Sequence, residues 1–127
     1  MALNILIVDD SAVIRTMIAK TLRLAGVPVA EVHEAGNGQE GLDVLELHWV
    51  DLVFVDINMP VMNGEEMIRR IRANSIWADL PLVIISTEGS ETRINSLLDV
   101  HSRFIHKPFT PERVRNVVTE MLGIAHE

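Results

Sequence analysis

Four short apolar runs in this chain each end in residues that can bind or transfer a charged group. Ile5-Leu-Ile-Val8 runs into Asp9-Asp10, and Asp51-Leu-Val-Phe-Val runs into Asp56. Leu82-Val-Ile-Ile85 precedes Ser86, and Phe104-Ile105 leads into His106-Lys107-Pro108. If these runs are adjacent parallel strands, their carboxyl ends bring three carboxylates, a hydroxyl and an ammonium to one edge of a sheet. Carboxylates gathered in that way repel one another, and a hard divalent cation is the simplest remedy. Mg2+ prefers oxygen ligands, takes one or two carboxylates and leaves positions for a phosphoryl oxygen. Asp10 and Asp56 are the expected direct ligands and the backbone carbonyl of Asn58 a third, with Asp9 acting mainly through water. A carboxylate is also a nucleophile toward phosphorus, giving an aspartyl phosphate. Catalysis of phosphoryl transfer is mostly positioning and electrostatic stabilisation. Mg2+ at one oxygen, the Lys107 ammonium at another and the Ser86 hydroxyl at a third would supply both.

Taken singly, each of these residues has a plainer role. Asp9-Asp10 would complement the macrodipole of a following helix. Asp56 would end a strand, Ser86 would cap a helix and Lys107 would be a solvated cation. Their joint placement after four separate strands is what favours a site.

The elements that must position them alternate, strand-like run then helix-like periodic segment, five times, as in a parallel sheet covered on both faces. The uninterrupted apolar run Ile5 to Val8 suits a central strand. A helix from about Ala12 to Ala25 follows, its stripe formed by Ile14, Met17, Ile18, Thr21 and Ala25, and Gly26 with Pro28 ends it. Val29-Ala-Glu-Val-His-Glu34 mixes polar and apolar residues and suits an edge strand. The next helix carries Leu42, Val44 and Leu45. Strand three is Leu52 to Val55, and a loop through Pro60 and Asn63-Gly64 leads to a helix with Met67, Ile68 and Ile71. Pro81 opens strand four, Leu82 to Ile85, and a polar helix with Ile94, Leu97 and Leu98 precedes the short strand Phe104-Ile105. The last helix begins after Thr110-Pro111, with Pro at a tolerated first-turn position and Val114, Val117, Val118, Met121 and Leu122 facing the core. Right-handed crossovers require the chain to reverse direction across the sheet at least once. With the polar second run at an edge, the order is 2-1-3-4-5, which sets Asp9 and Asp10 beside Asp56.

The chain has 127 residues, 48% of them hydrophobic, enough for one domain over residues 1–127 with a single core. It has no cysteine, which excludes disulfides and thiolate chemistry. The start Met1-Ala-Leu-Asn4 lacks a basic segment and a long apolar stretch, and no apolar run approaches the roughly 20 residues of a membrane span. A cytoplasmic protein without membrane insertion is the expectation. A net charge of -7 argues against non-specific nucleic-acid binding. Part of that acidity belongs to the expected cation site.

Asp9-Asp10, Asp56-Ile-Asn-Met-Pro60-Val-Met-Asn-Gly64, Ser86 and Lys107-Pro108-Phe109 together resemble the receiver domain of two-component response regulators, especially the stand-alone CheY-like kind. The resemblance covers nearly the whole chain and implies a flavodoxin-like, doubly wound five-stranded sheet in the same order, 2-1-3-4-5. It implies that Asp56 accepts a phosphoryl group from a histidine kinase or phosphotransfer protein, with Mg2+ as cofactor. Asp9 and Asp10 become the acidic pair at the metal, Asn58 the carbonyl ligand, Ser86 the switch hydroxyl, Lys107 the phosphate contact and Phe104 the aromatic switch residue. The Lys107-Pro108 bond would be cis, an isomer that is cheap only before proline. Such a protein is a binding switch and not a turnover enzyme, although it assists its own phosphorylation and slow dephosphorylation. Its readout would be the face made by helix four, strand five and helix five, toward a downstream target protein. The alternative within this fold is a phosphorelay intermediate or a docking scaffold. With no output domain after residue 127, direct DNA binding is not expected.

The sequence departs from the family pattern in four places. Ser86 stands where many receivers have Thr, Phe104 where many have Tyr, Val100-His-Ser-Arg103 where a small Gly-Ala pair is usual, and Thr87 where a small residue is common. Asn58 and Glu88, each two residues past a site residue, are polar, as in chemotaxis-type regulators with short-lived signals.

Two other readings compete. Gly36-Asn-Gly38-Gln-Glu-Gly41 matches a dinucleotide-binding fingerprint, with Asp56 20 residues after Gly36. Its strand, however, reads as the polar edge, and the reading gives Asp9, Asp10, Ser86 and Lys107 no role. An aspartyl-phosphate phosphohydrolase needs Asp-x-Asp, whereas Asp56-Ile-Asn58 offers no second carboxylate. The five histidines show no metal spacing, and His106 either flanks the site or points to the opposite sheet face. Trp49 and Trp77 read as packing residues.

Overall fold

A computed structural model of the chain describes residues 2–123. Five parallel strands form one sheet in the order β2-β1-β3-β4-β5. They are β1 (Leu3–Val8), β2 (Val29–Ala35), β3 (Leu52–Val55), β4 (Leu82–Ser86) and β5 (Ser102–His106). The intervening helices are α1 (Ala12–Leu24), α2 (Gly38–Leu47), α3 (Gly64–Ala73), α4 (Glu91–Leu97) and α5 (Pro111–Leu122). The polar run is the edge strand β2, and the direction of travel reverses between β1 and β3, as its composition requires.

Side chains of a strand point alternately to the two faces, and the core divides accordingly. Leu6, Val8, Val53, Val55, Leu82, Ile84 and Phe104 pack under α2, α3 and α4. Ile5, Ile7, Leu52, Phe54, Val83, Ile85 and Ile105 pack under α1 and α5. Every residue of β3 and β4 is buried, and each such Leu, Ile, Val or Phe contributes about 1.5–3 kcal/mol of burial free energy. The sheet is therefore a rigid platform whose carboxyl edge holds the chemistry.

Each helix begins at a polar cap. Ser11, Asn37, Asn63, Ser90 and Thr110 accept a hydrogen bond from the backbone three residues on, satisfying donors the helix itself leaves unpaired. Met17 faces solvent, contrary to the expected stripe of α1, while Ile18 and Leu22 are buried and Ile14 packs at the margin. Apolar residues occupy several faces of this helix, so its period did not single one out. Trp49 is likewise exposed, whereas Trp77 packs against the core as expected.

The Gly36-x-Gly38 turn serves packing. Gly38 donates to the carbonyl of Met62 at 2.8 Å, and a Cβ at Gly38 would lie 2.8 Å from that oxygen. The start of α2 is thereby pressed onto the β3–α3 loop. In that loop Met62 N–H donates to the carbonyl of Pro60, and Val61 between them has φ +66°, a compact turn in a region that β-branched residues avoid.

Candidate phosphoacceptor site

β1 and β3 are neighbours in register, with Val8 opposite Val55, so the residues that follow them emerge side by side. Asp56 N–H continues the ladder by donating to the carbonyl of Val8 at 3.0 Å, and Asp9 N–H donates to Ala35 at 3.0 Å. Asp9 and Asp56 are 1% and 7% exposed, whereas Asp10 faces solvent. Carboxylate oxygens of Asp9, Asp10 and Asp56 lie within 4.8 Å of one another. Burying two carboxylates requires compensating partners. Asp56 Oδ1 accepts the N–H of Ile57 at 2.7 Å, and Asp9 Oδ1 accepts the N–H of Ser11 at 2.9 Å.

Lys107 reaches this pair from β5. Its Nζ lies 2.8 Å from Asp9 Oδ2 and 3.3 Å from Asp56 Oδ2. Burial lowers the proton affinity of Lys107, but its hydrogen bond to Asp9 and the charges of Asp56 and Asp9 outweigh that effect. The ammonium is held above the ordinary lysine range. Lys107 N–H also donates to the carbonyl of Ser86 at 2.9 Å, which joins the ends of β4 and β5. The bond from Lys107 to Pro108 is cis.

Ser86 is 1% exposed, and its Oγ accepts the N–H of Glu88 at 3.3 Å, so the hydroxyl is engaged with its own loop. Ile84 pairs with Phe104 and Ser86 with His106, which places Phe104 on the same sheet face as Ser86, beneath α4. His106 is exposed and meets the Phe104 ring edge-on, with centroids 4.6 Å apart. Paired with Ser86, His106 shares the sheet face of Ser86 and Phe104, so it flanks the strand ends there and does not point to the opposite face.

Two arginines at the rim have no signal in the sequence. Arg15, one turn into α1, donates to the carbonyl of Asp9 at 2.6 Å and to Glu34 at 2.8 Å, fastening the acidic loop to β2. Arg93 on α4 pairs with both Glu65 and Glu88 and reaches Asn58 Oδ1 at 3.4 Å, spanning the β3–α3 and β4–α4 loops. Glu65 and Asn58 lie 28 and 35 residues from Arg93, beyond any helical or strand period.

The donor set is all oxygen, and three carboxylates face one ammonium. That surplus of negative charge beside a half-open rim fits a hard dication. A parallel five-stranded α/β sheet with an acidic cluster at its switch point is the arrangement of the receiver class.

The chain belongs to the response regulator receiver domain family, whose sequence model matches residues 5–119. It is 34% identical to the chemotaxis protein CheY homolog of Campylobacter jejuni over 123 residues, 95% of this chain and 93% of the relative. Among solved structures it is similar to the chemotaxis protein CheY4 of Vibrio cholerae, with TM-score 0.81 and 31% identity over 95% of this chain and 99% of that one. A putative response regulator from Chloroflexus aurantiacus superposes with TM-score 0.85 at 25% identity, covering 98% of this chain and 100% of the other. The protein is a CheY-like receiver domain of a two-component system.

Proposed function

We propose that Asp56 is the phosphoacceptor of a receiver that occupies the whole chain and switches affinity for a target protein. The observation that carries this reading is the shared contact of Lys107 Nζ with Asp9 and Asp56 inside the three-carboxylate group. The Asp10 and Asp56 carboxylates and the Asn58 carbonyl would hold Mg2+, with Asp9 acting through water. The ion would neutralise charge on the phosphoryl oxygens.

An Asp56 carboxylate oxygen attacks the phosphorus of a phosphohistidine on a histidine kinase or phosphotransfer protein. The O–P bond forms, the N–P bond breaks, and its electron pair stays on the imidazole. Lys107 exchanges part of its contact with Asp56 for a phosphoryl oxygen, keeping Asp9 as its second partner. Ser86 leaves the N–H of Glu88 and turns its hydroxyl to another phosphoryl oxygen. The space it vacates, together with the inward shift of its loop, changes the packing of Phe104. A pre-existing equilibrium is thereby biased at the α4–β5–α5 face, where the target docks. With no hydroxyl on Phe104, packing alone drives that rearrangement. No substrate is turned over by this cycle, so the protein acts as a switch and not as an enzyme.

The test is incubation with acetyl phosphate or phosphoramidate, with and without Mg2+, read by intact mass for the wild type and Asp56→Asn. A phosphate-sized gain that requires both Mg2+ and Asp56 supports the proposal. No gain, or an equal gain in Asp56→Asn, removes it.

A further inference from the structure

At the opposite end of the sheet from Asp56 lies a groove of about 590 Å³, a size typical of ligand sites. One wall is the end of α2 and the chain leading into β3, including Leu47, Trp49 and Asp51, and the other is the α3–β4 connection with Ile76, Trp77 and Asp79. Leu47, Trp49 and Ile76 are 78%, 75% and 80% exposed. Single exposed apolar residues are ordinary, but three of this size on one groove form a patch of the kind that marks interaction sites.

Both walls are fixed in advance. Trp49 Nε1 donates to Asp51 Oδ1 at 2.9 Å, and Asp51 Oδ2 accepts the N–H of Asn4 at 2.8 Å. The indole is thus pinned with its one polar atom already satisfied, and its apolar surface is left outward. Opposite, Arg72 donates to the carbonyl of Leu80 at 2.7 Å, and Asn74 Oδ1 accepts the N–H of Ile76 at 2.8 Å. A wall that needs no ordering loses less entropy on binding.

The charge of the groove states what it would accept. Glu46, Asp51 and Asp79 line it, and neither Lys nor Arg does. The carboxyl end of α2, which carries negative partial charge, abuts it without a basic residue in its last turn. Among the described residues Glu46 has no ion-pair partner, and the carboxylate of Asp79 meets only His101. We propose that this groove docks a partner protein through an amphipathic segment in which Lys or Arg flanks large apolar side chains. The cations would lie over the indole faces and beside the carboxylates. Because Asp51 and Asp56 stand at opposite ends of β3, such docking is independent of phosphorylation and would fix the receiver's location.

Trp49 and Trp77 are the two tryptophans of the chain, so indole emission reports on this groove. The probe is a helical peptide of about 15 residues with a Leu face flanked by Lys, against Glu-for-Lys and Ser-for-Leu versions of it. Expected is a saturable shift of emission to shorter wavelength with the Lys/Leu peptide, equal with and without acetyl phosphate. Ile76→Lys and Asp79→Lys, both at exposed positions, should each weaken it by about tenfold or more. Equal binding of either altered peptide, unchanged binding by both variants, or no saturable shift overturns the proposal. Dimerisation of the protein alone that Ile76→Lys abolishes would assign the groove to a second copy and overturn it equally.

Discussion

A Cβ placed on Gly64 would stand 2.0 Å from the carbonyl oxygen of Asp56, closer than any real contact allows. Gly64 N–H donates to the carbonyl of Ile57 at 2.8 Å, so α3 begins directly on the backbone that carries Asp56, the proposed phosphoacceptor. Gly64→Ala must move one or the other. It is expected to destabilise the protein by about 1–3 kcal/mol in urea titrations. Phosphorylation by acetyl phosphate should slow as well, because the Asp56 N–H is drawn away from the carbonyl of Val8 that positions it.

Asp10 is exposed and makes no ion pair among the described residues, while it shares the cluster with Asp9 and Asp56. Removing its charge relieves repulsion worth about 1–4 kcal/mol, the span between solvent and protein-surface dielectric values. Metal-free Asp10→Asn should therefore be the more stable protein by that order. With saturating Mg2+ the ranking should reverse, because an ion that binds only the folded wild type stabilises it. Thermal unfolding of both proteins, with and without Mg2+, checks the crossing.

Much of this was legible in the sequence, for reasons the structure makes plain. The buried strands β1, β3 and β4 carry the apolar runs Ile5 to Val8, Leu52 to Val55 and Leu82 to Ile85, β2 is mixed polar and apolar, and the candidate site residues stand at the ends of those runs. Strand order, and the gathering of Asp9, Asp10, Asp56 and Lys107 at one edge of the sheet, could therefore be read from composition, spacing and family resemblance together. What could not be read depends on contacts without a local period. The facing side of α1 was ambiguous because Val13, Met17 and Leu24 are apolar yet exposed. Arg72, Arg93 and the turn at Val61 have partners or conformations that only the assembled fold specifies.

Arg72 clasps Asp99 through Nε to Oδ2 at 2.8 Å and Nη2 to Oδ1 at 3.3 Å, linking α3 to the turn before β5. Partial burial raises the Asp99 pKa, but Arg72 and the N–H of His101 outweigh it and hold the carboxyl below its ordinary value of 3.8. A depressed folded pKa means that the clasp stabilises fully above the unfolded value and loses that contribution as pH falls through the folded one. The stability gap between wild type and Asp99→Asn should be constant from neutral pH down to about pH 5 and close at lower pH. Urea titrations across that range measure it.

Val61 has φ +66° in the loop between Asp56 and α3, and its side chain is exposed. Left-handed backbone costs a residue other than glycine about 1–2 kcal/mol, and glycine returns part of that as entropy of the unfolded chain. Val61→Gly should be more stable by roughly 0.5–1 kcal/mol, with no loss of phosphorylation. Chemical denaturation and intact mass together test both halves.

The central claim is that phosphorylation of Asp56 is relayed through Ser86 and Phe104 to the α4–β5–α5 face. The most direct measurement is a 1H–15N amide spectrum of the protein before and after addition of acetyl phosphate and Mg2+, with Ser86→Ala alongside. The expected result is a set of shifts running from Asp56 through Ser86 and Phe104 into α4 and α5, with the distal shifts absent in Ser86→Ala. Shifts confined to the three carboxylates and Lys107, or a distal pattern unchanged in Ser86→Ala, would contradict it.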